Sequence, residues 1–288
     1  MLKFTPLLLL LLVGCQSGQL VQLEDEEVRV SSPPNMVQLQ GNLFMDRSEI
    51  SNLDWREYLY WLGSIHGKQS AIVQAALPDT TVWVDREGAE ILPLVRIYFR
   101  HPSYDAYPVV GISHAQAVAY YKWRSSRIAE QLLLKAGLLE ENLQAAAGGE
   151  FDLEKFVAGE TAGLVQSGSI LVPIFRLPTA EELRLAMDKV YPAIASTPTL
   201  VAQDLEPVVN TVGYEAATFT AAPQKKGRSQ ILHLIGNVAE MTTEQGLALG
   251  GSWQHELAAS LPDQSLSYEG PNSWLGFRNV AHWQRISW

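Results

Sequence analysis

Thiol and imidazole chemistry are scarce in this chain. Its 288 residues include one cysteine, Cys15, and six histidines, at 66, 101, 114, 233, 255 and 282. A lone thiol can form neither an internal disulfide nor the dithiolate site that soft metals favour. There is no His-Glu-x-x-His, no Walker loop and no Gly-x-Ser-x-Gly elbow. His255-Glu256 could serve as a metal-ligand pair; the plainer reading is a polar pair at the end of a strand. Obvious catalytic apparatus is missing, and the most reactive side chain lies near the front of the chain.

Cys15 follows Leu12-Val13-Gly14, behind Lys3 and an apolar run from Leu7 to Val13. A basic start, a short apolar run and a small residue before the cysteine read as a secretory signal. The run is too short to span a bilayer, which takes ~20 apolar residues. Leu-Val-Gly-Cys resembles a bacterial lipobox. That resemblance implies cleavage after residue 14, diacylation of the Cys15 sulfur and acylation of the new amino group. The thiol is then consumed, and two or three acyl chains anchor durably where one is marginal. Gln16, rather than Asp, after the cysteine favours the outer membrane by resemblance to the lipoprotein sorting rule. Residues 16–34 are polar and acidic with Ser and Pro, and read as a flexible tether over 15–34. The acidic run Glu24 to Glu27 is taken as part of that solvated tether.

A hydrophobic content of 47% supports a real core, and the length suits one sizeable domain or two small ones. The formal net charge of −10 argues against nucleic acid as a partner.

Local signals place the elements. Residues 36–45 alternate in part, as a half-buried strand would. Ser51 with Asp54 starts a helix carrying Trp55, Tyr58 and Leu62 and ending near Gly63. Thr81 to Val84 is a strand candidate. Ser113 with Gln116 caps a second helix that runs to about Lys135 or breaks near Ser125-Ser126. Residues 137–172 read as an insertion. Thr179 with Glu182 caps a third helix bearing Leu183, Met187 and Val190. The later part is loop-rich, so the expected class is α+β with low regular content. Trp55, Tyr58, Trp61, Tyr120, Tyr121 and Trp123 sit at core-like spacing, which favours packing over a ligand cage. Lys225-Lys226-Gly227-Arg228 reads as an exposed basic turn, or more sharply as a docking spot for an acidic partner.

These segments, in order, resemble the formylglycine-generating, sulfatase-modifying-factor family. The pieces are Asp46-Arg47-Ser48-Glu49-Ile50-Ser51, Pro108-Val109-Val110-Gly111-Ile112-Ser113 with Tyr120 and Trp123, Arg176-Leu177-Pro178-Thr179, Gly236-Asn237-Val238-Ala239-Glu240, Gly250-Gly251-Ser252-Trp253 and Gly276-Phe277-Arg278. The resemblance implies an α+β fold related to C-type lectins, spanning residues 35–288. Asp79-Thr80-Thr81-Val82-Trp83 and Tyr98-Phe99-Arg100-His101-Pro102 add a likeness to non-catalytic lipoproteins of gliding motility and type IX secretion. Those sit at the periplasmic face of the outer membrane.

Enzymes of the family bind copper(I) through two cysteines beyond the Gly-Gly-Ser-Trp strand. The matching positions here are His255 and Ser260. Neither is a thiolate, so no copper and no formylglycine-generating activity are expected. Iron-dependent relatives use His-x3-His-x-Glu, a spacing that no histidine pair here shows. The resemblance also implies calcium, held by the carbonyls of Gly236 and Val238 and the carboxylate of Glu240. The first family ligand falls at His233, whose nitrogen suits calcium poorly. The competing reading is a metal-free turn with Glu240 capping it or paired to Arg278.

The function expected is a lipid-anchored outer-membrane scaffold or binding component that joins other cell-envelope proteins. The alternatives are an extracytoplasmic enzyme using His255, Glu256 and Ser260 in altered chemistry, and a sugar- or peptide-binding module.

Overall fold

The structure, a computed structural model, describes residues 18–23, 26–84, 94–139, 151–160, 168–192 and 231–288. Its strands are β1 (Gln19–Leu23), β2 (Glu26–Val30), β3 (Met36–Gln40), β4 (Leu43–Asp46), β5 (Ser169–Arg176), β6 (Ala239–Met241), β7 (Leu247–Leu249), β8 (Leu266–Ser267), β9 (Leu275–Gly276) and β10 (Val280–Ser287). Its α-helices are α1 (Asn52–His66), α2 (Ala71–Ala75), α3 (Leu94–Ile97), α4 (His114–Lys135), α5 (Leu153–Val157) and α6 (Ala180–Val190). The mixture is α+β, as expected.

All three capping boxes form. Ser51, Ser113 and Thr179 each accept from the backbone N–H three residues on, while Asp54, Gln116 and Glu182 reach back to the cap. Each box satisfies two N–H groups that a helix start would otherwise leave without partners. Helix α1 runs past Gly63 to His66 and stops at Gly67, whose φ of 89° suits glycine. Helix α4 does not break at Ser125-Ser126. The Ser125 hydroxyl donates to Tyr121 O (2.9 Å) and accepts from Phe175 N (3.0 Å), and Ser126 Oγ accepts from Leu153 N (3.1 Å). The helix is thereby fastened along the outer edge of β5, a strand paired on its other side to β10.

The main sheet has the order β3-β4-β10-β5 and is antiparallel throughout. Alternation sorts its core. Phe44, Phe175 and Ala281 form one row facing the first hairpin, where Val21, Leu23 and Val30 pack on them and on Trp283. Met45 and Val280 point the other way, onto Leu183, Ala186 and Met187 of α6. A smaller sheet, β8-β7-β6-β9, follows the turn at Gly236-Asn237-Val238 (the family turn of the resemblance above) and lies against α1 and the start of α4. Trp55 centres that contact. It stacks on Tyr120 at 5.3 Å and meets Tyr58 and Phe277 edge-on at 5.4 and 6.0 Å. Of the aromatic stripe, Trp55, Tyr58 and Tyr120 are core, and Trp61, Tyr121 and Trp123 pack partly buried against them.

Three expectations fail. The flexible tether over 15–34 is, from residue 19, a β-hairpin built into the core. Its inward residues are apolar, and they cover a sheet face that would otherwise meet water. The strand expected at Thr81–Val84 is a 3-10 turn, Thr80–Trp83, started by Asp79 and locked by burial of Trp83 against Tyr98 and Trp253. The insertion over 137–172 ends too late, because residues 169–172 belong to β5 and Phe151, Leu153 and Phe156 pack beneath Ala129 and Leu133 of α4.

Candidate functional site

The family turn is shaped by three residues with left-handed backbone: His233 (φ 54°), Gly236 (φ 80°) and Asn237 (φ 61°). Asparagine tolerates that region better than most residues do. The turn is closed by Gly236 N to Gly250 O (2.7 Å), Trp253 N to Asn237 O (2.9 Å) and Ala239 N to Trp274 O (2.8 Å). Gly250 packs so closely that a Cβ would sit 2.6 Å from Leu234 O, and Gly251 packs against Ser260.

Under the turn lies a buried charge cluster. The Arg278 guanidinium, fully buried, donates from Nε to Glu240 Oε2 (2.7 Å), and its Nη2 lies 2.5 Å from Glu240 Oε1. It also donates to Asp46 O (3.1 Å) and Leu232 O (2.8 Å). Glu49 Oε1 accepts from Asn237 Nδ2 (2.8 Å), and Glu49 Oε2 lies 3.6 Å from His233 Nδ1 and 3.9 Å from Arg278. Burial pushes Glu240 up to about 7, opposed by Arg278. Burial also acts to raise Glu49, but its contact with His233 and the charges of His233 and Arg278 outweigh it and hold that carboxyl below its usual value. A second buried pair joins Asp46 to Arg124 in a two-point bridge at 2.8 and 2.9 Å.

The side chains here do not fit a calcium site. Glu240, the one carboxylate implied as a ligand, has both oxygens against a guanidinium, and His233 turns toward Glu49. Among the described residues no three His, Cys, Asp or Glu side chains converge as a metal-holding group. Of the two readings left open for Glu240, the geometry gives the pair with Arg278.

His255 and Ser260 are both engaged in holding their own loop. His255 Nδ1 lies 2.7 Å from Ser252 Oγ, and its ring stands edge-on to Trp274 at 5.0 Å. Burial lowers its pKa by disfavouring the charged imidazolium. Ser260 Oγ, fully buried, donates to Glu256 O (3.0 Å) within the 3-10 turn Leu257–Ser260. Glu256 itself is exposed and does not join His255 as a ligand pair. His114 Nε2 lies 3.0 Å from Thr242 O at the start of α4, a structural contact.

A family model described as the sulfatase-modifying factor enzyme 1-like domain matches residues 11–283. The chain belongs to this family. Two solved structures are similar to the chain at low identity. One is Treponema denticola variable protein 1, at 15% identity, TM-score 0.45, covering 93% of this chain and 92% of that one. The other is CarF, known from a crystal structure, at 14% identity, TM-score 0.44, covering 84% and 87%. No curated protein matches the sequence.

Within this sulfatase-modifying-factor body, sequence reading assigned the family cysteine positions by resemblance to His255 and Ser260, neither of which is a thiol. It missed Glu49 and Asn237 as members of the buried cluster. The one available signal for Glu49 was its place in the opening motif with Asp46. A cleft of about 580 Å³ lies elsewhere, between α2 and the start of α4, lined by Tyr58, Ile72, Leu77, Gln116 and Pro271. Cys15 and the basic segment Lys225 to Arg228 lie outside the described residues.

Proposed function

We propose that this chain is a non-catalytic, lipid-anchored protein of the outer membrane, facing the periplasm, whose family body serves as a binding or scaffold component for other cell-envelope proteins. The finer reading is a role in gliding motility or type IX secretion, supported by the sequence likeness over residues 79–83 and 98–102. The observation that carries the non-catalytic reading is the state of His255 and Ser260. At the positions where the family's enzymes hold copper(I), one side chain is bonded to Ser252 and the other to a backbone carbonyl. Soft, two-coordinate copper(I) chemistry calls for thiolates, and the chain's single cysteine sits in the lipobox. Among the described residues no helix is long and apolar enough to cross a membrane; the anchor in this reading is the lipid on Cys15.

Affinity purification of the tagged full chain from membranes tests the scaffold reading. Stable co-purifying envelope proteins at fixed stoichiometry are expected. Recovery of the chain alone, together with stoichiometric copper or iron, would favour an enzyme instead.

A further inference from the structure

The N-terminal hairpin changes what an anchor at Cys15 does to the body. A solvated tether ending at residue 34 would let the domain wander far from the lipid. In the structure strand β1 begins at Gln19, directly after Gly18. Three residue steps separate Cys15 from Gly18, a reach of at most about 11 Å even fully extended.

The hairpin is fastened firmly enough to transmit that constraint. Val21 and Val30 are buried against Phe44 and Trp283. Gln38 Nε2 donates to Gly41 O (2.6 Å) and Leu20 O (3.4 Å), Arg29 Nη1 donates to Gly18 O (2.7 Å), and Glu26 pairs with Arg285 on β10. Register places Leu20 opposite Arg29 at the end nearest Cys15, and Gln22 opposite Glu27 farther along. By alternation these four occupy the outward face. Leu20 is 47% exposed, and Arg29 is exposed. An apolar side chain beside a guanidinium suits a headgroup boundary, where the cation meets lipid phosphate and the apolar group meets the acyl border. Glu26 and Glu27 lie at the other end, away from an anionic surface.

We propose that Leu20 and Arg29 form a membrane-contacting rim. It seats on the phospholipid headgroups of the bilayer that holds the anchor and fixes the body's orientation. Partner proteins then reach only the faces turned away from the hairpin. The proposal rests on the lipid-anchor reading above.

The test uses full-length acylated protein from native envelopes, reconstituted into vesicles of phosphatidylethanolamine and phosphatidylglycerol with brominated lipid. A fluorophore is placed at Leu20→Cys or, as a distant control, at Tyr60→Cys, a residue 76% exposed on α1. The label at 20 should lose most of its fluorescence to the lipid quencher, and the label at 60 should lose none. Equal quenching at both, or shielding of position 20 from aqueous iodide with no lipid quenching, would overturn the proposal; the second result would mean that another protein copy covers the rim. A flexible ten-residue Gly-Ser insertion after Ser17 should relieve quenching at 20, and unchanged quenching would refute the short connection as its cause. Intact mass of the same samples keeps the two failures apart: unacylated Cys15 removes the anchor reading itself, whereas acylated protein without quenching removes only the rim.

Discussion

Arg278 and Glu240 form a fully buried ion pair joined at two points, Nε to Oε2 and Nη2 to Oε1, directly beneath the family turn. The guanidinium stands as the internal counter-charge for that carboxylate and ties two further backbone carbonyls, those of Asp46 and Leu232, to the same spot. Removing one partner of such a pair leaves a buried charge uncompensated. Arg278→Met should therefore lose roughly 3–5 kcal/mol in denaturant unfolding. Because the carboxylate is already neutralised, calcium should add little. EDTA-washed and calcium-reloaded protein should melt at the same temperature, and a large calcium-dependent rise would show that Glu240 leaves Arg278 for the ion.

Gly251 meets Ser260 in the loop that also carries His255. A Cβ at 251 would overlap the Ser260 hydroxyl, and the backbone φ of 63° adds strain for any other residue. Gly251→Ala should cost roughly 2–4 kcal/mol. Ser260→Gly in the same chain should recover part of that loss, since it removes the clashes with the hydroxyl and Cβ but leaves the residue 260 Cα at 2.8 Å and the backbone strain. A thermodynamic cycle of the two variants should show coupling; purely additive losses would mean the contact is not what excludes alanine.

The Arg176–Glu182 pair at the start of α6 predicts an acid-sensitive limb. Burial acts to raise the Glu182 pKa, but the hydrogen bond and charge of Arg176, with the Thr179 N–H, hold it below its usual value of 4.5. A carboxylate whose folded pKa is depressed contributes stability that is present above the unfolded pKa and is lost as pH falls through the folded one. Stability should therefore decline below about pH 4.5. Glu182→Gln keeps the capping box but should flatten this limb and lower stability at pH 7 by up to about 1 kcal/mol. Urea unfolding across pH 3–7 reads both effects.

The hairpin makes a prediction that a free tether does not. Val21 is 1% exposed in the cluster with Phe44, Phe175 and Trp283. Val21→Asp should destabilise the domain by roughly 3 kcal/mol or more, whereas Gln22→Asp on the outward face should be near neutral. Equal, negligible effects would return residues 19–30 to the status of linker.

The contrast between these segments shows what the sequence made legible. Helix starts were readable because their determinants are local: Ser51 with Asp54, Ser113 with Gln116 and Thr179 with Glu182 lie within one turn. The hairpin was not, although Val21 and Leu23, and Val28 and Val30, carry a period of two. Its apolar face gains meaning only from Phe175 and Trp283, which arrive late in the chain, and the intervening Gln and Glu dilute the signal. At Thr81-Val82 the β-branched preference yielded to burial of Trp83. In the site, the missing thiolates at 255 and 260 were plain from residue type. The Glu49–Asn237 hydrogen bond joins positions 188 residues apart, so no spacing rule could have announced it.

The non-catalytic function proposed above requires that the loop carrying His255 and Ser260 holds no copper(I). Purified full-length protein should be mixed with copper(I) and a sulfatase-derived cysteine peptide, with bound copper and formylglycine product measured together. The account predicts no stoichiometric copper and no product; either one, retained by the wild-type chain and lost on His255→Ala, would contradict it.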